Sequence, residues 1–149
     1  MYEVCKYKLF VKKEENFKFN DSIIKKPENA VKIFNHEKGL NMKNKPQEIF
    51  GMITLGMKKN IMGIMEISRG SLDSTIIHPR DIFQRAYLHN AAGIILGHNH
   101  PSGFPEPSEI DIKITEEIIE VSEILKIDVF DHIIIGDDSF YSMKAQEDI

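Results

Sequence analysis

Residues 48–55 are almost uninterruptedly apolar, and a polar stretch at 57–60 separates them from a second apolar run at 61–67. Two such runs joined by a short polar turn predict a β-hairpin. After Pro79 the rhythm changes: Ile82, Phe83, Ala86 and Tyr87 recur at helical spacing, so a helix opens at the proline and closes near Asn90. Residues 92–97 read as a short buried strand. Farther on, Ile110, Ile114, Ile118, Val121 and Leu125 form the apolar stripe of a long helix that buries one side against a sheet. Residues 129–135 and 140–143 read as two closing strands around a turn at 136–139.

The start of the chain is less regular. Residues 2–11 alternate weakly beside several lysines, which fits an edge strand or a loosely attached leader. Pro27 followed by Ala30, Val31, Ile33 and Phe34 predicts a short amphipathic helix that ends near Gly39, with the glycine in the left-handed geometry. Strands interleaved with helices make an α/β layered domain over residues 27–149, preceded by a leader at 1–26.

Composition narrows the class. With 42% apolar and 28% charged residues over 149 positions, the chain is that of one globular domain and not of a disordered or fibrous protein. Its longest apolar run, 91–96, is far below the ~20 residues of a membrane-spanning helix. Cys5 is the only cysteine, so no intramolecular disulfide forms; it reads as an ordinary reduced thiol. Together with the lack of a signal-like segment near Met1, this points to the cytoplasm. Charge is uneven: residues 1–50 hold 11 basic and 7 acidic side chains, and the remainder holds 8 basic and 16 acidic. An acidic body argues against a broad phosphate-binding face, while the leader lysines read as a solvated surface or a small basic patch.

The chemistry concentrates at residues 98–111. His98 and His100 follow directly on the strand at 92–97, and in extended backbone residues two apart point the same way, so both imidazoles address one ion. Prolines at 101, 105 and 107 stiffen the loop between them and the long helix. Asp111 lies in the first turn of that helix, about 60° around it from Ile114, where its carboxylate faces inward. Ser108 and Asp111 also read as an ordinary helix cap, the serine satisfying free amides and the acid complementing the dipole. Two histidines and one carboxylate are the three-ligand set of a catalytic zinc, which keeps a fourth position open. Zinc lowers the pKa of water from roughly 15.7 to about 7, and a nearby carboxylate is still needed to take the proton and deliver it to a leaving amine. The letters His-Asn-His also name a nuclease motif, but there the three residues are spread over a ββα unit and here they are consecutive.

The segment from His98-Asn99-His100-Pro101-Ser102-Gly103 through Pro107-Ser108 and Asp111 closely resembles the RadC-like branch of the JAMM (MPN/JAB) family. Further similar segments are 70–83, containing His78-Pro79-Arg80-Asp81, and 131–136. The resemblance implies a three-layer α-β-α domain, cytidine deaminase-like, with a mixed central sheet. It also implies that His98, His100 and Asp111 hold Zn2+ and that the Ser108 hydroxyl helps stabilise an oxyanion, a contribution worth about 3 kcal/mol. The family's upstream glutamate maps onto Glu48, at the start of the first core strand, as general base. Glu66 is the rival, but it lies mid-way along the second apolar run, where a solvent-facing position explains it.

The implied activity is zinc-dependent hydrolysis of an amide, peptide or isopeptide bond in a protein or peptide substrate. The alternative is a DNA-associated accessory protein in repair or mobile-element biology. That alternative is weakened because the helix-hairpin-helix module of longer RadC proteins has no room in these 149 residues. A third reading is a scaffold that keeps the fold without the metal. Where relatives often have aspartate in the first hairpin turn, this chain has Leu55-Gly56-Met57-Lys58. His36 and His89 read as surface or capping groups at helix ends, and His78 and His132 as candidates for a hydrogen bond behind the metal ligands.

Overall fold

In the computed structural model, which describes residues 1–70 and 77–149, the first apolar run forms β1 (Ile49–Leu55), buried along its whole length. It is buried on both faces because it lies inside a five-stranded sheet of order β2-β1-β3-β4-β5. The second run forms β2 (Ile61–Arg69), antiparallel to β1, as the hairpin pattern predicts. β3 (Gly93–Asn99) lies on the other side of β1, also antiparallel, and extends two residues beyond the expected strand, so that His98 and Asn99 belong to it. β4 (Asp128–Ile135) runs parallel to β3 and β5 (Phe140–Ser142) closes the sheet antiparallel to β4. The sheet is therefore mixed. Its one parallel pair needs a crossover, and the long helix supplies it.

Helices cover both faces. α2 (Pro79–Leu88) and α3 (Glu109–Leu125) pack on the face that presents Phe50, Met52, Ile94 and Leu96. α1 (Pro27–Phe34) packs on the opposite face, against Ile49, Ile53, Ile95, Ile133 and Ile135. This is the three-layer α/β architecture expected, with alternate residues of β1 and β3 feeding the two cores. Among the described residues no helix is long and apolar enough to cross a membrane.

Several local expectations are corrected. Of the two readings of residues 2–11 the edge strand is not formed and the loosely attached leader fits: they are exposed throughout, and the chain first packs at Phe17, which stacks on His36 at 4.1 Å between ring centroids. Before α1 the described residues meet the sheet at the isolated bridge from Ile23 to Asn60, beside the bond from the Ile61 amide to the Ser22 carbonyl. α1 ends at Phe34 with Asn35 as its cap, and the left-handed residue beyond it is Asn41 (φ 46°) rather than Gly39. On α3 the inward face is Asp111, Thr115, Ile118 and Ser122, with Ile114, Val121 and Leu125 on its flank. Ile110, placed on the buried stripe by its spacing, is 48% exposed, because in the first turn the inward positions are given to polar groups. Residues 71–76 of the family-like segment 70–83 lie outside the described residues.

The loop from β3 to α3 is fastened at its base. The His100 amide donates to the Ile135 carbonyl at 2.9 Å, and the Asp137 amide to the Gly103 carbonyl at 3.0 Å. Gly103 has φ +86°, and a Cβ there would run into the Asp137 carboxylate, so both the turn and the close approach require glycine. The loop that follows the two histidines is thus tied to the end of β4.

Candidate metal centre

Four side chains from three elements meet at the C-terminal end of β3. His98 stands on β3 itself and is fully buried; His100 follows one residue after the strand with 16% of its side chain exposed. Asp111 comes from the first turn of α3 and is 2% exposed, and Glu48 comes from the residue before β1 with 13% of its side chain exposed. The two Nε2 atoms are 2.9 Å apart. Asp111 Oδ1 lies 3.3 Å from His98 Nε2, and Asp111 Oδ2 3.4 Å from His100 Nε2. Glu48 Oε1 lies 3.7 Å and 4.0 Å from the same two nitrogens.

Ligand atoms of Glu48, His98 and His100 all lie within 4.8 Å of one another, so these three could hold a metal ion. That set replaces Asp111 of the expected set with Glu48. The contacts place Asp111 nearer to both imidazoles than Glu48 is, so all four residues belong to the centre.

Asp111 holds its place through the cap. Its Oδ2 accepts from the Ser108 amide at 2.7 Å and from the Ser108 hydroxyl at 2.7 Å, while its own amide donates to Ser108 Oγ at 3.2 Å. Capping and site-building are one arrangement: the carboxylate that closes the capping box also faces the histidines. The Ser108 hydroxyl proton is directed at Asp111. Glu66, the rival base, is held by Arg69 through bonds of 2.9 Å and 2.7 Å on β2.

The electrostatics call for positive charge. Burial by itself would raise the Asp111 carboxyl, but its contacts with His100, His98 and the Ser108 hydroxyl outweigh it and hold that group far below the usual carboxylate range. Burial likewise opposes a proton on His100, yet Asp111, the Phe104 carbonyl and Glu48 together raise its pKa. The protein alone thus favours a proton on His100 to offset two carboxylates. The His100 Nδ1 donates to the Phe104 carbonyl at 2.8 Å, since a carbonyl only accepts, and this leaves Nε2 as the lone-pair nitrogen of the neutral ring. Nitrogen and oxygen donors that converge around a point wanting positive charge fit a divalent cation.

Two residues not singled out from the sequence build the centre from behind. Asn99, between the two histidines, points to the opposite face of β3. There its Oδ1 accepts from the Ile49 amide at 2.7 Å and its Nδ2 donates to the Gln47 carbonyl at 3.0 Å, gripping the main chain on both sides of Glu48. Thr115, one turn after Asp111 on α3, has its hydroxyl 2.6 Å from the Asp111 carbonyl and 2.6 Å from His132 Nδ1. The signals were strand parity for Asn99 and the four-residue helical step for Thr115, but neither names its partner.

The other histidines separate. His132, on β4, is fully buried and lies 2.8 Å from His98 Nδ1, so it stands behind that imidazole. His78 is exposed at the start of α2, and among the described residues no hydrogen bond joins it to His98 or His100. His36 stacks on Phe17 after α1, and His89 caps α2 with its Nδ1 2.9 Å from Thr54 Oγ1.

The family model described as "RadC-like JAB domain" matches residues 24–148. Among curated proteins, a "UPF0758 protein" of Alkaliphilus oremlandii is 45% identical over 130 residues, covering 87% of this chain and 54% of the relative. Proteins of the same name from Moorella thermoacetica and Clostridium beijerinckii are 40% and 41% identical, over 87% and 85% of this chain and 55% and 54% of theirs. The chain spans about half the length of the curated relatives it matches.

Proposed function

The chain belongs to the RadC-like JAB domain family, and on that premise we propose that it is a zinc-dependent hydrolase of amide, peptide or isopeptide bonds. The observation that carries this reading is the convergence of His98, His100 and Asp111 on one point, with the Glu48 carboxylate beside it. His98, His100 and Asp111 are assigned as the ligands because their donor atoms make the shortest contacts with one another, 2.9–3.4 Å. Glu48, at 3.7 Å and 4.0 Å from the imidazoles, is assigned as the general base.

When bound, zinc supplies Lewis acidity, polarising a carbonyl and making a water acidic near neutral pH. The remaining steps fall to the chain. Glu48, a partly open carboxylate, takes the proton of the attacking water and returns it to the leaving amine. Ser108 is assigned to support the oxygen that gains negative charge, for which its hydroxyl turns its proton from Asp111 Oδ2 toward that oxygen. His98 and Asp111, almost wholly buried, exclude bulk water from the rear of the centre. A cavity of about 250 Å³ borders His100 and is lined by Met42, Lys43, Lys45, Asn99 and Ile135, but not by Glu48, His98 or Asp111.

The test is zinc analysis of the purified protein together with a screen of peptide and isopeptide substrates against wild type and Glu48→Gln. One zinc per chain and hydrolysis abolished by Glu48→Gln are expected. A protein that takes up no zinc, or whose hydrolysis ignores Glu48→Gln, would sink the proposal.

A further inference from the structure

Behind the proposed ligands runs a chain of hydrogen bonds whose direction follows from a single hydroxyl proton. Thr115 Oγ1 lies 2.6 Å from the Asp111 carbonyl oxygen and 2.6 Å from His132 Nδ1. A carbonyl oxygen accepts and never donates, so the one Thr115 proton goes to Asp111, one helical turn back. The hydroxyl then has only lone pairs left for His132, and His132 Nδ1 must carry a proton. In a neutral imidazole the other nitrogen is then an acceptor. His132 Nε2 therefore accepts from His98 Nδ1, 2.8 Å away. His98 is left with its lone pair on Nε2, the atom that faces Asp111 and His100.

No solvent competes for these bonds. Thr115, His132 and His98 are each 0% exposed. Phe50 closes the space around the two rings, stacking on His98 at 5.8 Å and meeting His132 edge-on at 5.4 Å between centroids. An isolated neutral imidazole exchanges its proton between two nitrogens, and only one of the two tautomers presents Nε2 to a cation.

We propose that Thr115 and His132 are positioning residues that fix the tautomer of His98, so that its Nε2 lone pair is ready for a divalent cation before that cation arrives. This rests on the metal reading above for its purpose, but the tautomer itself belongs to the metal-free protein. The first turns of α3 then serve the centre twice, through the Asp111 carboxylate in front and through the Asp111 carbonyl at the base of the chain behind.

The experiment has two arms on the full chain. In the first, long-range proton–nitrogen correlation spectra of the 15N-labelled, metal-free protein report which ring nitrogens carry protons. Protons on Nδ1 of both His98 and His132, with both Nε2 atoms bare, are expected; a proton on His98 Nε2 would overturn the proposal. In the second, Zn2+ is titrated against a chromophoric chelator. His132→Leu should weaken zinc by roughly 10–100-fold, as loss of a partner behind a ligand does. His132→Gln should recover most of that loss, because its amide oxygen still accepts from His98 Nδ1.

Should His132→Leu fail to fold, Thr115→Val and Thr115→Ser carry the comparison. Serine keeps the hydroxyl and should match wild type, while valine removes it at the same size, should weaken zinc and should let His98 populate both tautomers. Equal zinc affinity in wild type, Thr115→Val and every His132 variant that folds would overturn the proposal. The expected tautomer in a wild-type protein that binds no zinc would instead refute the metal reading, leaving the proton assignment standing.

Discussion

The side-chain oxygen of Asn99 accepts a 2.7 Å hydrogen bond from the backbone amide of Ile49, fifty residues earlier in the chain. With the second bond, from Nδ2 to the Gln47 carbonyl, it couples the strand that carries both histidines to the residue that carries the proposed base. Asn99→Ala leaves a buried amide without its partner, which costs about 1–3 kcal/mol. Denaturant unfolding should show that loss. Zinc affinity should stay near wild type, since no proposed ligand is touched. Hydrolysis should fall by roughly 100-fold, as displacement of a catalytic group by about 1 Å can do. Unchanged hydrolysis in a folded Asn99→Ala protein would show that the grip on Glu48 is structural only.

Removing metal should lower stability in a concentration-dependent way. A cation that binds only the folded chain stabilises it by about 2.7 kcal/mol at a free concentration 100 times its Kd. Chelator treatment should therefore lower the melting temperature, and added zinc should restore it. Asp111→Ala and His98→Ala should melt at the same temperature with and without zinc. A zinc-dependent shift that persists in both variants would place the metal elsewhere.

Zinc uptake should release protons, and more of them in mildly acidic solution. Burial opposes charge on His100, but Asp111, the Phe104 carbonyl and Glu48 raise its pKa above the usual imidazole value. A raised value means that the metal-free fold is stabilised by this proton below the ordinary imidazole range and loses that contribution as pH climbs through the raised value. Asp111 works in the opposite sense: despite its burial, its contacts with His100, His98 and the Ser108 hydroxyl depress it, so its contribution fades only as pH falls through the lowered value. A cation must displace the His100 proton. Calorimetry in buffers of different ionisation enthalpy should find more protons released at about pH 6 than at about pH 8. Equal release at both would contradict the assignment of His100 as a ligand.

Ser108 holds two roles that one substitution separates. Ser108→Ala removes the acceptor for the Asp111 amide and the donor to its carboxylate, at a cost of about 1 kcal/mol of stability. If the hydroxyl also supports the oxyanion, kcat should drop by roughly 100-fold or more beyond any change in zinc content. A variant that is merely less stable, with full kcat at full zinc occupancy, would reduce Ser108 to a cap.

Gly97 lies on β3 where Phe34 of α1 presses against the sheet. A Cβ there would sit 2.5 Å and 2.6 Å from two atoms of the fully buried Phe34 ring. Gly97→Ala should destabilise by about 1–3 kcal/mol, because a packed ring has nowhere to go. Gly97→Ala paired with Phe34→Leu should recover part of the loss, and a single variant as stable as wild type would contradict the close approach.

How much of this was legible beforehand differs by element. Strands and helices were readable wherever apolar spacing had a clean period: β1, β2, α2 and the two closing strands stand where their patterns put them. At residues 2–11 the pattern leaves an edge strand and a loose leader both open, and the exposed chain there fits the leader, since a weak alternation with nothing paired to it makes no strand. Ile110 misled, since helical spacing says which residues share a side but not where along the helix the core ends.

The chemistry divides the same way. Residue types and local spacing alone determined that His98, His100 and Asp111 could address one ion, because a strand's two-residue period and a helix's first turn are local geometry. Which distant groups meet them was decided only by the tertiary structure. Pairing of β1 with β3 brings Glu48 to the histidines through Asn99, and the parallel pairing of β3 with β4 sets His132 behind His98. Those contacts depend on strand order and register across 34 to 50 residues of chain. No local pattern encodes them, since they arise only when two cores pack on opposite faces of one sheet.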